Sequence, residues 1–116
     1  MRKNGHKFNA KPTTVDGIRF ASMAEARRYS ELKMLEKAGE IAHLTLQPTF
    51  PLYVWDCEKK QDVQIGKWIG DFQYWDVAQG KVVIEDVKGV KTSVYRLKKK
   101  IVEHRLGISI TEVGTR

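Results

Sequence analysis

The feature that most constrains the fold lies in the last third of the chain. Val82-Val83-Ile84 opens a run of the kind found in strands buried on both faces. Gly89 breaks that run. Residues 93–106 then read as a helix closed by Gly107, and a short strand over 108–113 follows. A strand, a helix and a strand in this order form a crossover unit, expected to be right-handed, with its two strands parallel in one sheet. The 116 residues suffice for one such sheet with helices on it and leave no room for a second independent core.

The preceding residues supply the rest of that sheet. Thr13–Val15 and Ile18–Phe20 flank Asp16-Gly17, a favoured two-residue hairpin turn. Ser22 caps a helix, with Glu25 three residues on as a capping box. The helix runs to about Ala38 and stops at Gly39; its apolar stripe is Ala24, Leu32, Leu35 and Ala38, with Tyr29 at the edge. Residues 43–55 read as extended, but Pro48 and Pro51 keep them from being a regular central strand. After a polar turn over 56–62, a strand runs over 63–77, with Gly66 and Gly70 as its breaking points. A turn over 78–80 leads into the strand 81–88. The expected fold class is α/β: an N-terminal hairpin, then α-β-β-β-α-β around a mixed sheet, the first three strands forming a meander. The expected organisation is a basic N-terminal arm, residues 1–12, and one domain over 13–116.

Twenty-one Lys and Arg against 14 Asp and Glu give a net charge of +7. The excess points to an anionic partner, nucleic acid first among them, against the alternative of a merely solvated surface. Arg2, Lys3, Lys7 and Lys11 crowd the first twelve residues without an acid, and Lys88, Lys91, Arg96, Lys98, Lys99 and Lys100 crowd 88–100. No apolar run is long enough to span a membrane, and the N-terminus lacks the apolar stretch of a secretory signal. The lone Cys57 rules out an internal disulfide and a cysteine-built zinc cluster, and fits a cytoplasmic location. His6, His43 and His104 have no metal-ligand spacing. No Ser/His/Asp set or glycine-rich phosphate loop is present, which argues against acyl transfer and nucleoside-triphosphate chemistry.

The acids inside apolar strands carry the chemistry. Asp71 lies in Trp68-Ile69-Gly70-Asp71-Phe72, and Asp86 and Lys88 end the strand 81–88. Strand side chains alternate, so Asp86 and Lys88 share a face and Glu85 takes the other, outward-facing or salt-bridged. Burying an unpaired charge is expensive, so these acids need partners. A salt bridge among Asp71, Asp86 and Lys88 is one answer. A hard cation is the other: two carboxylates on adjacent strands suit Mg²⁺, with water and phosphate oxygens completing its shell, and Lys88 can orient a water or meet phosphate charge. Glu25 sits at the edge of the buried helical stripe, either reaching this site or serving only as the cap. Lys98 falls within the apolar arc of Val94, Tyr95, Leu97, Ile101 and Val102 and either snorkels along the sheet or reaches phosphate. Lys91 and Thr92 follow the active strand and are candidate contacts to a substrate backbone. Gln47 is placed to bond into the site or to satisfy backbone. Trp55, Trp68 and Trp75 read as core or edge packing rather than as stacking platforms for bases.

Asp71 followed by Asp86-Val87-Lys88 resembles the D…(D/E)-x-K motif of the PD-(D/E)XK nuclease superfamily, and the α-β-β-β-α-β order resembles its core. The segments FASMAEARRY, LQPTF, IGDFQYWD and IEDVKGVKT resemble a small phage-encoded branch of it, near Holliday-junction resolvases and transposon endonuclease subunits. The resemblance covers about residues 13–113. Gly70 stands where the name-giving pattern has proline. The resemblance implies a restriction-endonuclease-like fold and a Mg²⁺-dependent DNA endonuclease, with Mn²⁺ as a substitute, in which water attacks a backbone phosphate in line. It implies that Asp71, Asp86, the Val87 carbonyl and Glu25 hold metal and that Glu25, Asp71, Asp86 and Lys88 are catalytic. Lys91, Thr92 and Lys98 would contact DNA. Paired cuts imply a homodimer, and a phage origin implies the host cytoplasm and a role in recombination or replication. The alternative is a module of the same fold that binds nucleic acid without cutting it.

Overall fold

The computed structural model describes residues 11–88 and 91–114; most of the basic arm and Gly89 lie outside them. A hairpin of β1 (Thr13–Val15) and β2 (Ile18–Phe20) leads into helix α1 (Met23–Lys37). Five strands follow: β3 (Ile41–Leu46), β4 (Thr49–Asp56), β5 (Gln61–Ile69), β6 (Phe72–Asp76) and β7 (Lys81–Lys88). Helix α2 (Ser93–Leu106) and β8 (Ile110–Gly114) close the chain. The central sheet has the order β3-β6-β7-β8. Its first three strands are antiparallel and β8 runs parallel to β7, so the mixed sheet and the parallel pair across α2 are both present.

Two expected strands each divide in two. The stretch 43–55 becomes β3 and β4, separated at Gln47-Pro48, and 63–77 becomes β5 and β6, separated at Gly70-Asp71. β4 and β5 pair only with each other, as a hairpin inserted between β3 and β6. That removes the expected meander: β3 and β6 are neighbours in the sheet but not in the chain. In a two-stranded sheet a strand has a free side, so Pro51 sits inside β4 without disrupting the sheet. Gly66 does not end β5. It lies beside a bulge where the register passes from Leu52↔Gly66 to Tyr53↔Gln64.

The local signals behave as their chemistry requires. Asp16 and Gly17 both have positive φ, 54° and 76°, the requirement of the tight turn that matches strand twist. The Ser22 hydroxyl accepts from the Glu25 N–H at 3.1 Å, and Gly107 closes α2 at φ 67°.

Two clusters flank the sheet. One joins α1 and the first hairpin to it: Phe20, Ala26, Tyr29, Leu32, Ile41, Phe72, Tyr74 and Val87. The other, Leu52, Trp68, Ile84, Val102 and Ile110, joins α2 and the inserted hairpin. The α1 stripe therefore centres on Ala26, Tyr29 and Leu32, while Ala38 is exposed. On α2 the buried residues are Tyr95 and Val102; Val94 and Leu97, expected inside, are 62% and 60% exposed. The inserted hairpin meets α2 along only part of its surface, which leaves these two residues in solvent. Trp68 packs against Phe50 with ring centroids 5.7 Å apart, but Trp55 and Trp75 are largely exposed rather than packed.

Candidate metal centre

Alternation along β7 sends neighbouring acids to opposite faces, and the structure gives each a different partner set. Glu85 and Val87 face α1, while Ile84 and Asp86 face α2. Glu85 is buried rather than outward-facing. Its carboxylate receives Arg28 Nε at 2.8 Å and Nη2 at 2.6 Å, a bidentate pair, and the Tyr74 hydroxyl at 2.5 Å. The Glu85 hydrogen bond holds the Arg28 guanidinium above its ordinary value, and burial followed by Glu85 pushes the Tyr74 phenol up. This is a structural ion pair that ties α1 to the middle of β7. No local pattern marks Arg28 or Tyr74; the usable hint is that Arg28 lies one turn from Glu25 on α1.

Asp86 is 1% exposed. Phe72 pairs with Glu85 in the ladder, so Asp71, one residue before Phe72, continues that register opposite Asp86. Three bonds fix the backbone there. The Asp71 N–H donates to the Glu85 carbonyl at 3.0 Å, the Gln47 N–H to the Asp71 carbonyl at 3.0 Å, and the Gly70 N–H to the Pro48 carbonyl at 2.9 Å. The last bond explains Gly70, because proline has no N–H to give. A Cβ at this position would also meet the Trp68 ring at 3.0 Å. The Asp71 Oδ2 accepts from the Val87 N–H at 2.6 Å, which orients its side chain toward β7.

The two carboxyl groups lie next to each other across the β6–β7 ladder. Burial, then Asp86, then the charge of Glu25 push the Asp71 carboxyl from 3.8 up to about 8, against the lowering effect of the Val87 N–H. Asp71 thus keeps a proton near neutral pH, the state expected of two acids forced together in a poorly solvated place.

Glu25 borders the same cavity as Asp71, a space of about 110 Å³ also lined by Gln47, Phe72 and Arg19. Its Oε2 receives the Ser22 hydroxyl at 3.4 Å, so Glu25 is at once a helix cap and a wall of the site. Among the described residues no group of three or more His, Cys, Asp or Glu is gathered closely enough to hold a metal ion. The donor set is therefore a carboxylate pair, with Glu25 nearby, rather than a closed cage. All-oxygen donors of this kind fit Mg²⁺, which keeps several waters and is held through one or two carboxylates together with substrate phosphates. Lys88 ends β7 two residues beyond Asp86, and its side chain lies outside the described residues.

Of the remaining expected contacts, Thr92 and Lys91 have structural partners. Thr92 is the N-cap of α2, its hydroxyl accepting from the Tyr95 N–H at 3.1 Å. Lys91 Nζ lies 3.0 Å from Glu112 Oε1. Lys98 is half-buried on the side of α2 that carries Tyr95 and Val102. Gln47 acts here through its backbone, at φ 51°. Glu112 is a further acid beside the site that no motif marks. Its signal was available: two residues beyond buried Ile110 on a strand, it shares the face of Asp86.

No described helix is long and apolar enough to cross a membrane. No curated protein and no solved structure matches the chain. Residues 5–112 match a family described as a protein of unknown function (DUF1064), and that match covers most of the sequence: the chain belongs to this family.

Proposed function

We propose that the protein is a Mg²⁺-dependent DNA endonuclease of the PD-(D/E)XK type. The reading treats α1, β3, β6, β7, α2 and β8 as a restriction-endonuclease-like core and the β4–β5 hairpin as an insertion into it. One observation carries it. Asp71 and Asp86 stand side by side on neighbouring strands in a poorly solvated place, and burial first, then Asp86 beside it, pushes the Asp71 carboxyl up to about 8. A fold gains nothing in stability from two buried acids that repel; a divalent cation resolves the repulsion in place of the proton.

In this reading Asp71 and Asp86 are the metal ligands, with the Val87 carbonyl between Asp86 and Lys88 as a further oxygen donor. Mg²⁺, when bound, supplies a charge that polarises the scissile phosphate and acidifies water. The Val87 N–H fixes the Asp71 carboxylate so that it need not reorganise on binding. Glu25 adds negative charge at the wall of the cavity it shares with Asp71, where its role is to hold water. Lys88 positions the attacking water and meets charge on the phosphate. Lys98, beside α2's buried face, approaches the substrate backbone, and Lys91 and Thr92 lie at the same end of the sheet. A net charge of +7 suits a polyphosphate partner. Paired cuts are assigned to a homodimer.

The test is a gel assay on supercoiled, linear, single-stranded and four-way-junction DNA with Mg²⁺, Mn²⁺ or a chelator. Metal-dependent nicking or resolution of at least one form supports the reading. DNA binding without cleavage in any metal would leave the non-cutting module in its place.

A further inference from the structure

One wall of the cavity beside Asp71 carries a cation. The β2 strand contributes Ile18, Arg19 and Phe20 to a lining that also holds Glu25 and Asp71, and Arg19 is the only cation among the described residues there. Alternation along β2 buries Phe20 and leaves Arg19 at the surface. Among the described residues Arg19 has no hydrogen-bond or ion-pair partner. Arg28, by contrast, is taken up by Glu85 and Glu31. A guanidinium at the rim of an acidic cavity, tied to neither acid, is open to a ligand.

Size and position say what kind of ligand. At about 110 Å³ the cavity is well below the roughly 300–1,000 Å³ of pockets that enclose a small molecule. It suits a chain that passes over its mouth. Lys98 belongs to α2, which packs on the sheet face of Ile84 and Ile110. The first hairpin packs with α1 on the other face. Arg19 therefore supplies positive charge on the side of the acid pair that Lys98 does not reach. The basic arm leads into the same hairpin, where Thr14 of β1 lies opposite Arg19.

We propose that Arg19 is a substrate-binding residue that takes a DNA backbone phosphate next to the scissile one, on the α1 side of the sheet. The inference rests on the endonuclease reading above. A guanidinium offers two parallel N–H donors to two phosphate oxygens, a geometry that an ammonium group does not reproduce. The phosphate held there fixes the strand across the mouth of the cavity. Arg19 acts on the substrate and not on the metal.

The experiment measures DNA affinity against salt in chelator, on a duplex and a four-way junction, for the full chain as wild type, Arg19→Ala, Arg19→Lys and Arg27→Ala. Arg27 is exposed on α1 and outside the cavity lining, so its variant removes the same charge from a different place. One phosphate contact carries a log–log slope of about 0.9, or roughly 8-fold in affinity at 0.1 M salt relative to 1 M. Arg19→Ala loses that slope and that factor on at least one of the two DNAs, and Arg19→Lys keeps most of the slope. Arg27→Ala stays within about 2-fold, because exposed charges are screened over about 10 Å at this salt. In single-turnover cleavage with saturating Mg²⁺ and DNA, both Arg19 variants slow by about 10-fold or more, since the strand is no longer held in register. Their Mn²⁺ affinity without DNA matches wild type. Wild-type slope and affinity in Arg19→Ala overturn the inference, as does an equal loss in Arg27→Ala, which assigns the effect to net charge. If wild type binds DNA but cuts neither form, the endonuclease reading fails, and the salt slope still decides whether Arg19 holds a phosphate. If wild type binds neither DNA, both fall.

Discussion

Replacing Asp71 with asparagine removes the acid that the fold holds protonated. The unfolded chain releases that proton near 3.8, and the folded protein keeps it until about 8. Between those values the unfolded state binds fewer protons, so this group makes the metal-free protein less stable as pH rises through the window, and contributes no penalty below it. Each pH unit is equivalent to about 1.4 kcal/mol, which sets a ceiling of ~4 kcal/mol at pH 7. Relaxation of the site and the altered bond to the Val87 N–H reduce what asparagine recovers to about 1–3 kcal/mol, or roughly 4 °C in melting temperature per kcal/mol. Thermal unfolding of both proteins in chelator from pH 4 to pH 8 is the assay. Asp71→Asn is the more stable at pH 7, and its advantage shrinks to nothing near pH 4. Added Mg²⁺ stabilises wild type and reverses the order. A variant less stable than wild type throughout the range, or a gain independent of pH, would show that Asp71 does not hold a proton in the folded protein.

Other perturbations probe different parts of the structure. Arg28→Ala leaves Glu85 buried without its bidentate partner and should cost about 3–5 kcal/mol in urea unfolding. Gly70→Ala forces a Cβ against the Trp68 ring beside Asp71 and should cost about 1–3 kcal/mol, with weaker metal binding as the site is pushed aside. Deleting residues 1–11 removes four positive charges before β1 and leaves the fold intact. If the arm tracks phosphates, the logarithmic salt dependence of DNA binding becomes shallower by up to about 0.9 per lost contact, and the rate at saturating DNA does not change.

Where the chain's signals were local, they were legible. The Asp16-Gly17 turn, the Ser22 cap, the Gly107 stop and the parallel pair around α2 each depend on a few adjacent residues. The opposite placement of Glu85 and Asp86 follows from alternation alone. The inserted hairpin was not legible, because its boundaries are set across the fold. Gly70 separates β5 from β6 by bonding to Pro48 and lying under Trp68, contacts that no local pattern encodes. The exposure of Val94 and Leu97 is of the same kind: helical spacing marks what can be buried, and the hairpin's limited contact with α2 decides what is. In the site, the acids stood out against Val and Ile. Arg28 and Tyr74, the partners of Glu85, come from two different elements and look unremarkable in the sequence.

The most direct measurement is single-turnover DNA cleavage by wild type, Asp86→Asn and Lys88→Ala, with DNA affinity measured in parallel. The account predicts Mg²⁺-dependent cleavage by wild type alone, with all three proteins binding DNA to within a few-fold and Lys88→Ala still binding Mn²⁺. Equal cleavage rates in wild type and Asp86→Asn would contradict it, as would an intact, DNA-binding wild type that cuts no form of DNA with any divalent metal.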